Sequence, residues 1–148
     1  MMLVIDASVA VKWFVDEPRR DQARDVLGRD MDLIAPDLIL VEVANALRNK
    51  VRNGFADKGL MQTALIRLPG MFDQLIGARE TLDEAFEIGC KINHPVSDCV
   101  YLACAKMAGA ELLTDDATLF QKCAVFDIGA KALLLSNWTL GLSASPRA

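Results

Sequence analysis

The stretch LVIDASVAVKWF, residues 3–14, decides how this chain is read. Leu3, Val4 and Ile5 form an apolar run of strand length, cut by a carboxylate, Asp6, and two small residues, Ala7 and Ser8. Ionising a buried carboxylate is costly unless a hydrogen bond, water or a cation compensates. The stretch therefore reads as a buried strand ending on an acid. A helix is expected to follow through Val9, Val11, Trp13 and Phe14 and to close near Pro18.

The same strand-then-helix grammar recurs outward from there. A helix is expected over Arg20–Leu27 with Gly28 as its stop, then a strand over MDLIAP, residues 31–36. The clearest helix is PDLILVEVANALRNKVRNG, with Asp37 in its first turn, where a negative charge suits the macrodipole, and Gly54 after its last. DKGLMQTALIRL and GARETLDEAFEIGCKI read as two amphipathic helices parted by Pro69-Gly70. SDCVYLACAKMAG reads as a helix with Ser97 as N-cap and Gly109 as stop. AELLT is a strand, Asp115-Asp116 a turn, ATLFQKC a short helix and AVFDI a last strand. Strands alternating with helices predict one α/β domain over residues 1–135 with a mostly parallel sheet. Residues 136–148, small and polar without a period, are expected to fray.

Composition narrows the chemistry. With 148 residues, 53% hydrophobic and a mean hydropathy of +0.25, the chain can bury one sizeable core. No apolar run approaches the roughly 18 residues of a membrane span, and no basic leader opens the chain, so a cytoplasmic protein is expected. The cysteines at 90, 99, 104 and 123 form no C-x-x-C pair, and His94 is the single histidine, so zinc ligation is not expected. The cysteines read as reduced, mostly buried thiols, and His94, before Pro95, as a surface residue. A Ser/His/Asp or Cys/His nucleophile would have to recruit that one histidine, which disfavours it. The net charge of −4 counts against gripping nucleic acid by bulk charge.

In parallel α/β sheets, ligands bind outside the carboxyl ends of the strands. Asp6 ends the first strand, Asp115 and Asp116 follow AELLT, and Asp98 lies in the first turn of a helix that faces the same edge. Glu42 interrupts the apolar LILVEVANAL and shares a helical stripe with Asn45, Asn49 and Arg52. Taken singly, these acids also fit a solvated face, a helix dipole or turn chemistry. Taken together they predict a crowded acidic edge, since two carboxylates about 5 Å apart repel by about 3 kcal/mol at an effective dielectric near 20. A hard divalent cation with oxygen ligands, Mg²⁺ or Mn²⁺, resolves that repulsion and suits phosphate chemistry.

VIDASVAVKWF, APDLILVEVANALRN and SDCVYLACAKMAGAELLTDDATLF, taken in order, resemble the acidic motifs of the PIN-domain family, more closely its VapC-type toxin branch. The resemblance covers the chain to about Leu135. It implies a PIN-like (Rossmann-like) three-layer sandwich: a central, mostly parallel sheet of four to five strands with helices on both faces. It implies catalytic and metal-binding roles for Asp6, Glu42, Asp98 and Asp116, supported by Ser8, Thr114 and Asp115. Spacing favours Asp116 over Asp115 as the ligand. The activity implied is Mg²⁺-dependent endonucleolytic cleavage of structured RNA, often transfer or ribosomal RNA. The partners implied are a second copy of the chain and a VapB-type antitoxin, with DNA met only through the antitoxin.

Half of the cationic residues, Lys12, Arg19, Arg20, Arg24, Arg48, Lys50, Arg52 and Lys58, follow the first two motifs. Lys12, Arg48 and Arg52 are the candidates for a phosphate-tracking rim, and ordinary solvated helix faces are the alternative. A non-catalytic PIN-like partner-binding module, or a PIN nuclease of RNA processing or DNA repair, are the competing functions. A phosphoacceptor receiver domain would need paired acids after the first strand, and a haloacid-dehalogenase-type phosphatase a second Asp where Ser8 stands.

Overall fold

The computed structural model describes residues 1–141. Its frame is a wholly parallel five-stranded sheet of β1 (Met2–Ile5), β2 (Asp32–Pro36), β3 (Gln74–Ile76), β4 (Glu111–Thr114) and β5 (Lys131–Leu134). The spatial order is β3-β2-β1-β4-β5, with Val4 paired to Ile34 on one side and Leu112 on the other. Successive residues of a strand face opposite sides of the sheet. Leu3, Val4 and Ile5 are all fully buried, so helices cover both faces of the expected three-layer sandwich.

Seven α-helices are described: α1 (Ala7–Ala10), α2 (Arg20–Leu27), α3 (Leu38–Arg52), α4 (Lys58–Arg67), α5 (Ala78–Ile92), α6 (Val96–Ala108) and α7 (Ala117–Val125). The helix α3 buries Ile39, Val43 and Leu47 at four-residue spacing and ends on Lys50 and Arg52, cations that suit a helix C-terminus. In α6, every residue from Cys99 to Ala105 is buried, because this helix lies on β1, β2, β4 and β5 beneath α5. Gly109 closes it in the left-handed region, φ 64°, where a side chain would be strained. Among the described residues no helix is long and apolar enough to cross a membrane.

Several local expectations need correction. The first helix is only α1 extended by a 3-10 turn, Val11–Trp13, and does not reach Pro18. The strand β3 falls in a stretch read as a connection; three residues are too few to show a period, and it forms because the main chain and carboxylate of Asp73 both bond to Leu33. AVFDI is not a strand: α7 runs on to Val125, which is 78% exposed, and pairing with β4 begins only at Lys131. Ser97 lies inside α6, whose N-cap is Pro95. Residues 136–141 of the expected tail carry contacts of their own. Trp138 donates its indole N–H to Asp25 (2.9 Å) under a stacked Arg29, and the Gly141 N–H also bonds Asp25. Residues 142–148, the rest of that expected tail, lie outside the described residues.

Candidate active site

The strand order makes β1 the turning point. The chain winds β1, β2, β3 outward on one side, then returns to β4 and β5 on the other. A crevice therefore opens outside the carboxyl ends of β1 and β4. Asp6 follows β1, its N–H still bonded to the Leu113 carbonyl (3.0 Å), and Asp115-Asp116 follows β4. Asp6, Glu42, Asp98 and Asp116 line one cleft of about 260 Å³ here, together with Ala7, Ser8, Val11 and Ala46. A larger surface cleft of about 700 Å³ lies at the opposite edge, by Glu111 and Lys131, and gathers no comparable set of acids.

One rule of construction runs through the four carboxylates: one oxygen of each is held by a protein donor. Asp6 Oδ2 accepts from the hydroxyls of Ser8 (2.6 Å) and Thr114 (2.8 Å). Those hydroxyls in turn accept the main-chain N–H groups of Asp115 and Asp116 (both 3.0 Å), so the turn after β4 is built onto the Asp6 carboxylate. Glu42 Oε1 accepts from the buried Tyr101 hydroxyl at 2.6 Å. Asp98 Oδ2 lies 2.8 Å from His94 Nε2. Asp116 is the N-cap of α7, its Oδ1 accepting the Leu119 N–H at 3.1 Å. The second oxygen of each acid has no protein hydrogen bond among the described residues.

The electrostatics are those of an unresolved repulsion. Burial, and then the charges of Asp98 and Glu42, push Asp6 up to about 6 despite its two hydroxyl donors. Burial and Asp98 also raise Glu42, against the Tyr101 hydrogen bond. Hard oxygen donors, pinned on one side and mutually repelling on the other, fit Mg²⁺ or Mn²⁺; the His94 ring stands with Asp98 and Asp116 as a nitrogen donor close by.

Asp115 has a different setting. Burial would raise it, but Arg19 grips it with two bonds (2.6 and 2.9 Å) and Lys12 lies 3.2 Å away, and the cations hold it below the usual carboxylate range. Lys12 therefore does not belong to an RNA-facing rim. It is 5% exposed and is shared by Asp115 and Glu17. Lys50 completes that network on Glu17 (3.0 Å). Arg48 and Arg52 are exposed and, among the described residues, form no ion pair. At 1.5 Å per residue they stand about 9 and 15 Å along α3 from Glu42.

Three further residues escaped the sequence reading. His94 is not a surface residue, since its side chain is 8% exposed and bonds Asp98. Its only sequence signal was the four-residue spacing to Asp98. Tyr101 was hidden as one more large residue of a buried helix. Arg19, grouped with the cationic rim, is Asp115's clamp. The thiols stay out of the chemistry: Cys99 and Cys104 are buried and pushed up to about 11 and about 12.

A parallel sheet that collects four acids at its turning point defines an α/β protein with a carboxylate-lined cleft at the strand edge. The chain belongs to the PIN-domain family, whose model matches residues 3–125. It is 34% identical over 124 residues to Ribonuclease VapC3 of Pyrobaculum aerophilum, covering 82% of this chain and 95% of that one. The crystal structure of PAE2754 from Pyrobaculum aerophilum shares the fold at TM-score 0.63 and 22% identity over 89% of each chain. VapBC2 from Rickettsia felis, bound to a DNA fragment from its promoter, also matches at 0.63, with 11% identity over 90% of this chain and 98% of that one.

Proposed function

We propose that this chain is a divalent-metal-dependent endoribonuclease of the VapC type, acting in the cytoplasm as a homodimeric toxin restrained by a VapB-type antitoxin. The observation that supports the reading most is the convergence of Asp6, Glu42, Asp98 and Asp116 on one cleft, each with an oxygen to spare. The ribonuclease named among its relatives agrees with it. So does the VapB-bound complex among its structural neighbours as a type of assembly.

Asp6, Asp98 and Asp116 would hold Mg²⁺ or Mn²⁺ together with Glu42. Once bound, such an ion adds positive charge to the phosphodiester and lowers the pKa of a water for attack. The chain's own part is positional. Ser8 and Thr114 fix the Asp6 carboxylate, Tyr101 fixes Glu42, and the α7 amide fixes Asp116. Small Ala7 and Ala46 leave room in the cleft for a backbone phosphate. Arg48 and Arg52 sit where they can track the strand beyond it, contacts that position RNA without reading its sequence.

The test is cleavage of end-labelled transfer and ribosomal RNA by the purified chain. Cuts at discrete positions are expected with millimolar Mg²⁺ and none in EDTA. No cleavage with either Mg²⁺ or Mn²⁺, alongside a co-purifying small protein, would establish the partner-binding module instead. Cutting of flapped DNA in preference to RNA would establish a repair-type nuclease.

Tyr101→Phe tests the Glu42 anchor. Losing the hydroxyl leaves a half-buried carboxylate without its donor, so a stability loss of about 1–2 kcal/mol is expected by urea melting. RNA cleavage should fall about tenfold, within the range for residues that orient a metal ligand.

A further inference from the structure

We propose that Lys122 and His94 form a positioning pair for Asp98: the Lys122 ammonium holds the imidazole with its proton on Nε2, and that N–H pins one Asp98 oxygen so that the other faces the cleft. The proposal rests on Asp98 serving as a metal ligand, as read above.

The donor arithmetic allows one arrangement. Lys122 Nζ lies 3.1 Å from His94 Nδ1, and an ammonium can only donate, so Nδ1 must accept. The ring proton then sits on Nε2, which lies 2.8 Å from Asp98 Oδ2 and donates to it. Single ligand atoms of His94, Asp98 and Asp116 lie within 4.8 Å of one another, a spacing that resembles a three-ligand site. A protonated Nε2 has no lone pair for a metal, however, so His94 acts through Asp98.

The surroundings hold both partners in register. Lys122 also donates to the Asn93 carbonyl (2.6 Å), at the left-handed cap of α5, and stands on α7, the helix that Asp116 caps. The His94 N–H bonds the Gly89 carbonyl at 3.2 Å. A Cβ on Gly89 would come within 3.1 Å of the His94 carbonyl oxygen, so the close approach of α5 to this loop needs glycine. The imidazole thus links α6 and α7, which carry Asp98 and Asp116, and its side chain is 8% exposed. A histidine orienting a metal-binding carboxylate through its ring N–H is the mirror of the usual case, in which a carboxylate orients a metal-binding histidine.

His94 is the single histidine of the chain, so its ring ¹⁵N resonances identify themselves. At about pH 8, above the ordinary histidine range, the parent protein should show the proton on Nε2, and Lys122→Met, with Asp98 still accepting at Nε2, should keep it there while weakening Mn²⁺ binding by less than His94→Ala does. A proton on Nδ1 in the parent would overturn the proposal, as would Mg²⁺ converting Nε2 into a metal-bound nitrogen. Mn²⁺ titration followed by the electron-spin signal of the free ion supplies a readout independent of cleavage. His94→Ala should weaken Mn²⁺ binding by about 10–100-fold and lower kcat similarly, with KM for RNA within about twofold. His94→Gln, whose amide N–H can reach Asp98, should recover most of both. If His94→Ala binds Mn²⁺ as tightly as the parent, the positioning role is refuted. If the parent binds Mn²⁺ but cuts no RNA, the nuclease reading falls while the pair stands on its tautomer and affinity. If the parent binds no Mn²⁺, both fall.

Discussion

Asp6→Asn should destroy RNA cleavage and at the same time make the metal-free protein harder to melt. Loss of a direct ligand is expected to cost more than about 10³-fold in kcat, beyond the 10- to 100-fold typical of outer partners. The gain in stability follows from burial. Asp6 is 7% exposed and its carboxyl is raised from 3.8 to about 6, first by desolvation and then by Asp98 and Glu42. Between about pH 4 and pH 6 the unfolded chain has already released this proton while the folded chain keeps it. The unfolded state then binds fewer protons, so stability falls as pH rises through that window. At 1.36 kcal/mol per pH unit the loss is about 3 kcal/mol at neutral pH.

An asparagine does not incur that loss. Both hydroxyl donors, Ser8 and Thr114, go to the same oxygen, Oδ2, so an amide oxygen can replace it and leave the NH₂ toward the cleft. The two hydroxyl bonds are already counted in that shift, but the amide brings an NH₂ with no protein acceptor into a mostly buried position, which offsets about half of the gain. The net is about 1–2 kcal/mol, or roughly 3–6 °C in Tm for a domain of this size. Calorimetry in EDTA at pH 7 should show that rise, with a flatter dependence on pH from 4 to 6 than in the parent. Millimolar Mg²⁺ should raise the Tm of the parent and not of the variant. A variant that melts at or below the parent in EDTA would show that burial and the neighbouring acids put no net cost on the Asp6 charge.

The four acids were legible because strand ends, helix starts and sheet direction are all written locally, and one rule about parallel sheets brings them to a common edge. Which member of the Asp115-Asp116 pair faces the cleft rests on more than spacing. Arg19, 96 residues from Asp115 in sequence, claims that carboxylate, and no local pattern announces such a partner. Lys12 misled for a related reason: between Val11 and Trp13 it looks like the polar position of a short helix, yet the chain turns there and seals its ammonium against Asp115 and Glu17. His94 is the sharpest case. A histidine before a proline has the composition of a surface loop, and its burial depends on α5, α6 and α7 closing around it. The missed β3 and misplaced β5 are short edge strands whose existence depends on a neighbour's free hydrogen bonds more than on their own residues.

Thr114→Val should be the most damaging conservative change at the site. The residue is fully buried, valine fills nearly the same space, and so the effect isolates one hydroxyl. That hydroxyl donates to Asp6 Oδ2 and accepts from the Asp116 N–H, which joins the end of β1 to the start of α7. Valine leaves a buried carboxylate with one donor instead of two and a half-buried N–H with none. Each orphaned group costs about 1–3 kcal/mol, so a combined loss of about 2–4 kcal/mol is expected in urea melts. The Thr114 bond is one of the two that lower Asp6, so its removal raises that group further. The pH window over which metal-free stability declines should then extend upward, beyond about 6. Cleavage should fall by about 10–100-fold, because the carboxylates of Asp6 and Asp116 both lose their shared brace. Thr114→Ser retains the hydroxyl and gives up one methyl group, about 1 kcal/mol, and should cut RNA within about threefold of the parent. Equal losses of activity in the serine and valine variants would mean that packing, and not the hydroxyl bridge, sets the geometry of this edge.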